Sequence, residues 1–143
     1  MYAQIFVTEL TGEEQPLPTN TNAFGNIIII GNNDTLQYDL YAEDLANVKH
    51  IGIHQGDSDE HGKVVVSLFE TKNPVGVPIV DLAGNITNED LKGPMTDATI
   101  NDLVGNMTEG NDYVNIQTSD FPLGEIRGQL SLQEEEDDEE PNN

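Results

Sequence analysis

The chain has 143 residues, of which 27 are acidic and 5 are basic, giving a formal net charge of −22 at pH 7. That length suits one domain with a sizeable core. Phosphate contacts need clustered lysine and arginine, so nucleic acid and anionic membranes are excluded as default partners. The absence of cysteine excludes a disulfide framework and thiol catalysis. No apolar run approaches the ~20 residues of a membrane-spanning helix, so no membrane insertion is predicted.

In chain order, apolar runs bounded by glycine, proline and asparagine predict a series of short strands. The segment 26–30 has four consecutive isoleucines after Asn26 and lies between Gly25 and Gly31, which predicts a strand buried on both faces. Leu36, Tyr38 and Leu40 alternate with polar residues and predict a half-buried strand. The other strands predicted in this part of the chain are 3–10, 47–54, 63–69 and 79–86.

One amphipathic helix is predicted near residues 99–109. Its apolar residues follow the spacing i, i+3, i+4, i+7, with Thr99 as the N-cap and Gly110 at the end. Thr87 and Asp90 stand at the spacing of a capping box and predict a single helical turn.

Two further strands lie near the C-terminus, over 111–118 and 121–130. The second contains Arg127, the only arginine in the chain. An arginine inside an apolar strand needs a partner, so a structural ion pair is expected with Glu125, or with a neighbouring carboxylate such as Asp112. A catalytic role would need a nucleophile or a second acid beside this pair, and nothing in the sequence nominates one, so no catalytic residues are assigned.

Eight short strands with regular turns predict a mainly all-β fold. The expected architecture is an antiparallel Greek-key β-sandwich or barrel with one short helix. The predicted domain spans 1–132. Residues 133–143 carry a run of acids that predicts a disordered, solvated tail.

The chain opens without a basic, apolar leader, so no signal peptide is predicted. That leaves either no export by that route or a mature form with an added methionine.

From about residue 6 to residue 130, the sequence resembles the CHRD (chordin) domain family. The resemblance rests on many landmarks in the right order, and the most specific is the C-terminal signature. The landmarks include Leu10-Thr11-Gly12, Ile53-His54-Gln55-Gly56, Tyr113-Val114-Asn115 and Gly124-Glu125-Ile126-Arg127-Gly128-Gln129-Leu130. The resemblance implies an immunoglobulin-like or superoxide-dismutase-like β-sandwich. Animal members occur in the secreted growth-factor antagonist chordin, and microbial members mostly lack an assigned function.

The chain departs from the family at its histidines. The family usually shows His-Ile-His where this chain has Gly52-Ile53-His54, and a histidine where this chain has Gln117. His54 therefore remains without its two neighbours. His50 shares its strand face but lies about 13 Å away along an ideal strand, too far to replace Gly52 without a bulge. His61 can reach His54 only if its loop folds back. A copper or zinc site of His54, His50 and His61, similar to that of a superoxide dismutase, is the alternative hypothesis.

Two other kinds of candidate site are surface features. Asp57, Asp59 and Glu60 gather three carboxylates in one loop, which could begin a Ca²⁺ site, although the spacing does not match an EF-hand and a solvated loop explains it equally. Three sequons would permit N-glycosylation in an exported protein. They begin at Asn33, Asn85 and Asn106.

The sequence therefore predicts a non-enzymatic, extracellular or cell-surface module that binds a protein partner or self-associates. Because like-charged copies repel, cations would bridge them, and the apolar N-terminal strand is expected to be able to pair with a neighbour's sheet edge. A cytoplasmic protein of a halophile is the alternative for localisation, since salt screens an acidic surface.

Overall fold

The structure is a computed structural model that describes residues 2–32, 34–74, 76 and 78–137. It contains nine strands, one α-helix and three single turns of 3-10 helix at Gly12–Glu14, Asn88–Asp90 and Gly93–Met95. The strands are β1 (Tyr2–Thr11), β2 (Phe24–Asn32), β3 (Thr35–Glu43), β4 (Val48–Gln55), β5 (Lys63–Glu70), β6 (Ile79–Ile86), β7 (Asp112–Thr118), β8 (Ile126–Gln129) and β9 (Ser131–Asp137), and the helix is α1 (Ile100–Thr108).

The strands form one antiparallel sheet in the order β5-β4-β7-β8-β1-β2-β3-β6, and β9 pairs with β1 beyond the end of β8. The sheet curls until it is nearly closed as a barrel, with β5 and β6 as its two ends. The predicted fold class, mainly antiparallel β with one short helix, is confirmed. A single curled sheet encloses the core.

The core lies inside the barrel and is built by alternate residues of each strand. The prediction for 26–30 was wrong: Ile27 and Ile29 are buried, whereas Ile28 is 38% exposed. No second layer covers the outer face of β2, so its isoleucines alternate between core and surface. Strand β7, by contrast, is buried on both faces, because loops cover its outer face.

The helix and its caps agree with the sequence. The Thr99 hydroxyl accepts a hydrogen bond from the Asp102 amide (3.2 Å), and the Asp102 carboxylate accepts one from the Thr99 amide (3.0 Å). Gly110 has a φ of +78°, which suits glycine after the end of the helix. The apolar side chains of α1 join the core. The capping box at Thr87 and Asp90 is also confirmed.

Both ends of the chain differ from expectation. Strand β1 is paired on both sides, with β2 on one and with β8 and β9 on the other, so its edges are occupied within the molecule. Strand β9 continues past the predicted boundary at residue 132 and reaches Asp137, because backbone pairing to β1 does not depend on side-chain charge. The rest of the predicted tail, 138–143, lies outside the described residues. Within the described ranges, no helix is long and apolar enough to cross a membrane.

Candidate functional site: a covered polar layer

A layer of polar side chains lies on the outer face of three neighbouring strands, β4, β7 and β8. Cross-strand pairing brings its members together, since His54 pairs with Tyr113, Tyr113 with Gln129, and Asn115 with Arg127. The loop 56–62, here called the acidic loop, folds back over them. We call the set His54, Tyr113, Asn115, Arg127 and Gln129 the covered layer.

Arg127 is the centre of the covered layer. Its guanidinium donates hydrogen bonds to the backbone carbonyls of Asp57 (2.6 Å) and Glu60 (2.5 Å). Its Cζ atom also lies 3.4 Å from the centre of the Tyr113 ring, a cation–π contact. Instead of the expected ion pair with a strand carboxylate, the buried arginine therefore holds the underside of the acidic loop.

Glu125 has different partners from those expected. One carboxylate oxygen accepts a hydrogen bond from the Thr118 hydroxyl (2.9 Å) and the other from the Thr21 hydroxyl (2.6 Å). The Thr19 hydroxyl adds a bond to the Glu125 carbonyl (2.7 Å). Glu125 thus fixes the segment before β2 against the sheet.

The amides of the covered layer hold the surrounding loops. Gln129 donates to the carbonyls of Gly56 (2.8 Å) and Gly110 (2.9 Å). Asn115 accepts from Gln15 (2.9 Å) and donates to the carbonyl of Leu123 (3.0 Å). Each of these bonds joins a strand side chain to a loop carbonyl or to a loop side chain, so the covered layer holds the loops against the sheet.

The acidic loop turns its carboxylates to its own backbone. The Asp57 carboxylate accepts from the Asp59 amide (3.0 Å), and the Glu60 carboxylate accepts from the Asp57 amide (2.9 Å). Two loop carbonyls point inward at Arg127. The guanidinium therefore uses oxygens that a bound Ca²⁺ would need in the interior of this loop, and the three acidic side chains remain exposed.

His54 is buried within the covered layer. Its Nδ1 lies 3.0 Å from the Gly62 carbonyl and donates to it, since a carbonyl can only accept. The ring stacks on Tyr113 with centroids 5.0 Å apart. Burial lowers the pKa of His54 from its ordinary value; the Gly62 bond opposes this shift, and His50 and Arg127 lower the pKa further. The site therefore favours the neutral imidazole.

His50 lies near His54 on the same face of β4, with ring centroids 6.1 Å apart. From His50 to His54, β4 pairs with β7 without a register shift, so the two rings approach without a bulge in β4 between them. The His50 ring occupies the space beside Gly52, with Cε1 only 2.6 Å from where a Cβ would stand. The missing side chain at Gly52 thus leaves room for an imidazole next to the position where the family has its other histidine. His61 is exposed on the acidic loop.

Two imidazole nitrogens of this pair, Nδ1 of His50 and Nε2 of His54, are buried and have no hydrogen-bond partner among the residues that the structure describes. The other nitrogen of His50 bonds the Ser67 hydroxyl (2.9 Å), to which Lys92 also donates (3.0 Å). Across the described part of the chain, no group of three or more histidine, cysteine or carboxylate side chains is placed to hold a metal ion. A centre like that of superoxide dismutase is therefore not supported.

Asp112 is a residue whose importance the sequence analysis missed. It was considered only as a partner for Arg127, but it lies on the opposite face of β7, with Val114 and Ile116. Asp112 is fully buried, and neither carboxylate oxygen has a partner among the described residues. Burial raises its pKa to about 7. The sequence could have indicated this burial, because residues 112, 114 and 116 alternate along the strand and so share one face.

The three predicted glycosylation positions fall in different settings. Asn33 lies outside the described residues. Asn85 is exposed on β6, and Asn106 lies on α1 with its amide beside the Met95 sulfur (3.5 Å). An exposed strand position such as Asn85 is accessible, while Asn106 is half-buried.

Comparison with known proteins identifies one family. The sequence pattern of the CHRD domain matches residues 6–130, most of the chain. Neither the curated proteins nor the solved structures gave a match. The match covers β2 to β8, most of β1 and all of the covered layer, so its residues include those that fasten the acidic loop. The chain therefore belongs to the CHRD domain family.

Proposed function

We propose that this chain is a non-enzymatic, protein-binding module that works outside the cell or at its surface. CHRD domains are generally protein-interaction modules and are typically extracellular. Because the chain is strongly acidic, we expect the bound protein to be basic, or cations to bridge the two proteins.

The observation that supports this proposal is that Arg127 and Glu125, in the C-terminal signature of the family, make structural hydrogen bonds. Arg127 spends its hydrogen bonds on the carbonyls of Asp57 and Glu60, and Glu125 is held by threonine hydroxyls. Catalysis would need an acid, base or nucleophile aimed at a substrate in an open cleft. The signature residues instead hold loops against the sheet, so we expect the outer surface to bind the partner.

A test of the location uses intact cells that produce the natural protein. Protease added outside the cells should remove the chain, as followed with an antibody, while a cytoplasmic marker survives. Permeabilised cells provide the control for cleavage. Retention of the chain in intact cells, with loss only after permeabilisation, would place it inside and contradict the proposal.

Self-association through cations is part of the proposal. Copies that each carry −22 repel one another until cations lie between their acidic surfaces. Light scattering after size exclusion should show a larger mass in millimolar Ca²⁺ than in chelator. A variant with Asp57, Asp59 and Glu60 changed to the corresponding amides should lose part of the increase if the acidic loop contributes. Unchanged mass at every Ca²⁺ and salt concentration, with no bound partner, would overturn the module as proposed.

A second candidate function is binding of a transition-metal ion at the histidine pair. The observation that favours it is the pair of buried, unpartnered nitrogens on His50 and His54. Copper or zinc would take these two neutral imidazoles as ligands. Protein purified without a chelator or a histidine tag should then carry stoichiometric metal that is lost in His54→Ala and kept in His61→Ala. A negligible metal content before and after reconstitution would exclude this candidate.

A further inference from the structure

The two ends of the sheet differ in how their outer edges are protected. Strand β5 shifts register twice against β4 and carries Lys63 and Glu70. Its outer edge is also covered in part, since the Lys92 amide donates to the Val65 carbonyl (2.9 Å). Bulges, charges and covering segments are the features by which proteins prevent unwanted strand pairing.

Among the described residues, strand β6 has none of these protections except one charge. It makes eight consecutive pairs with β3 without a register shift, contains no proline, and bears Asp81 as its single charged residue. Among the described residues it pairs with β3 alone. Ile79 at its start is 52% exposed. A regular edge of this length, which no described residue pairs with, is a template for another strand.

An apolar cleft adjoins this edge, where the barrel fails to close. Its volume is about 260 Å³. The β6 side contributes Val80 and Leu82, and the far wall contains Phe69, which is 39% exposed. Because residues alternate along a strand, a strand added to β6 would direct every second side chain into this cleft.

The surface outside the edge is acidic. Asp39 and Glu43 lie on β3, and Asp81 lies on β6 opposite Tyr41. All three alternate with inward-facing apolar residues and so share the outer face. Neither strand contains a lysine or an arginine. Cross-strand neighbours of opposite charge stabilise a sheet, so basic side chains are favoured on the outer face of an added strand.

We propose that β6 binds an extended segment of a basic partner protein, in which apolar residues alternate with lysine or arginine. The segment adds to the sheet at the free edge of β6, places its apolar residues in the cleft and sets a basic residue beside Asp81, with Asp39 and Glu43 one strand further away on the same face. This inference deepens the proposed protein-binding function and rests on it.

The test uses a fluorescent peptide of the same eight-residue length as β6, in which lysine and valine alternate. Two control peptides share its charge: one has the lysines and valines in separate blocks, and the other has methylated backbone amides. Anisotropy titrations at two salt concentrations should show the alternating peptide binding about tenfold more tightly than either control. Equal binding by the three peptides would mean charge attraction alone and would overturn the proposal.

Variants of the chain locate the binding site. Ala83→Lys places a charge on the exposed edge, and Phe69→Ala removes one wall of the cleft; each should weaken the alternating peptide about tenfold. Asn20→Lys and Phe24→Ala are the matched controls: Asn20 is exposed in the loop before β2 and its change also adds one charge, and Phe24, 47% exposed, lies at the start of β2. Hydrogen exchange should slow at β6 amides only when peptide is bound. Equal losses in test and control variants, or unchanged exchange at β6, would overturn the site.

Two other results would separate this site from the general function. Partner binding elsewhere on the surface, with β6 amides unprotected, would overturn the β6 site and leave the protein-binding function standing. A dimer in light scattering that dissociates in Ala83→Lys, without preference for the alternating peptide, would assign the edge to a second copy of the chain and overturn the basic partner. If the protein is found only inside cells and binds no other protein, the proposed function itself is contradicted.

Discussion

Arg127 donates from inside the sheet to the carbonyls of Asp57 and Glu60 in the acidic loop. Within the described structure the Asp57 carbonyl also accepts from the Glu60 amide (3.1 Å), so Arg127→Met should leave the Glu60 carbonyl without its donor and the Asp57 carbonyl with one donor fewer. The variant should lower the free energy of unfolding by about 2–4 kcal/mol. Arg127→Lys should recover only part of this loss, because an ammonium cannot span both carbonyls as a planar guanidinium does. Urea unfolding measures both values.

The control for this prediction is Lys72→Met, which removes one positive charge from an exposed position. It should change the free energy of unfolding by no more than about 0.5 kcal/mol. Similar losses in the arginine and lysine variants would mean that net charge, and not the loop contact, is what Arg127 supplies.

Asp112 gives the fold a specific pH dependence. Its folded-state pKa is raised to about 7, above the value of 3.8 expected in the unfolded chain. Between these values the folded state holds the extra proton, so the stability contributed by Asp112 is present at low pH and falls as pH rises towards 7. Asp112→Asn should remove that fall and stabilise the protein by a few kcal/mol at pH 8.

Thermal or urea unfolding of both proteins from pH 5 to pH 8 measures this effect. The stability difference between variant and wild type should grow with pH across the window. Asp39→Asn, at an exposed position on β3, is the control and should show a nearly constant difference. A constant difference for Asp112→Asn as well would show that its carboxyl ionises normally in the folded state.

At the scale of elements, the acidic loop depends on a glycine. A Cβ at Gly62 would clash with the Gln55 carbonyl oxygen. Gly62→Ala should push the loop off the covered layer, which limited proteolysis would detect as new cleavage within 56–62. Gly105→Ala is the matched control, since a Cβ there meets nothing within 4 Å on α1 and should stabilise the helix by about 0.5–1 kcal/mol. An intact loop in Gly62→Ala would contradict the close contact.

The elements were predictable wherever a local rule determined them. The periodicity of α1 and the capping residues Thr99 and Asp102 act within a few residues, so the sequence revealed them. The faces of β2 depended on whether another layer covered them, which Gly25 and Gly31 could not indicate. The approach of His50 to His54 depends on how the His50 side chain fills the space beside Gly52, and the Arg127 contacts required a loop to fold back 67 residues away in sequence. Such contacts are tertiary, and no local pattern encodes them.

At the scale of the whole molecule, charge should make stability depend on salt. A net charge of −22 favours the expanded, unfolded chain through self-repulsion, and added salt screens it. The urea midpoint should therefore rise between low and about 1 M salt. An unfolded protein at low salt would favour the halophile hypothesis, whereas a midpoint independent of salt would contradict both the repulsion and that hypothesis.

The place of β8 in the sheet has a consequence for synthesis. It is the strand that joins the set β5-β4-β7 to the set β1-β2-β3-β6. A nascent chain that leaves the ribosome can pair β1, β2, β3 and β6 early, but the two sets remain separate until residues 126–129 emerge. The closing event therefore joins Thr11 to Arg127, a connection between the two extremes of the polypeptide, and such distant connections form slowly. A ribosome stalled before Arg127 would carry two unjoined half-sheets, with β1 waiting for its second neighbour.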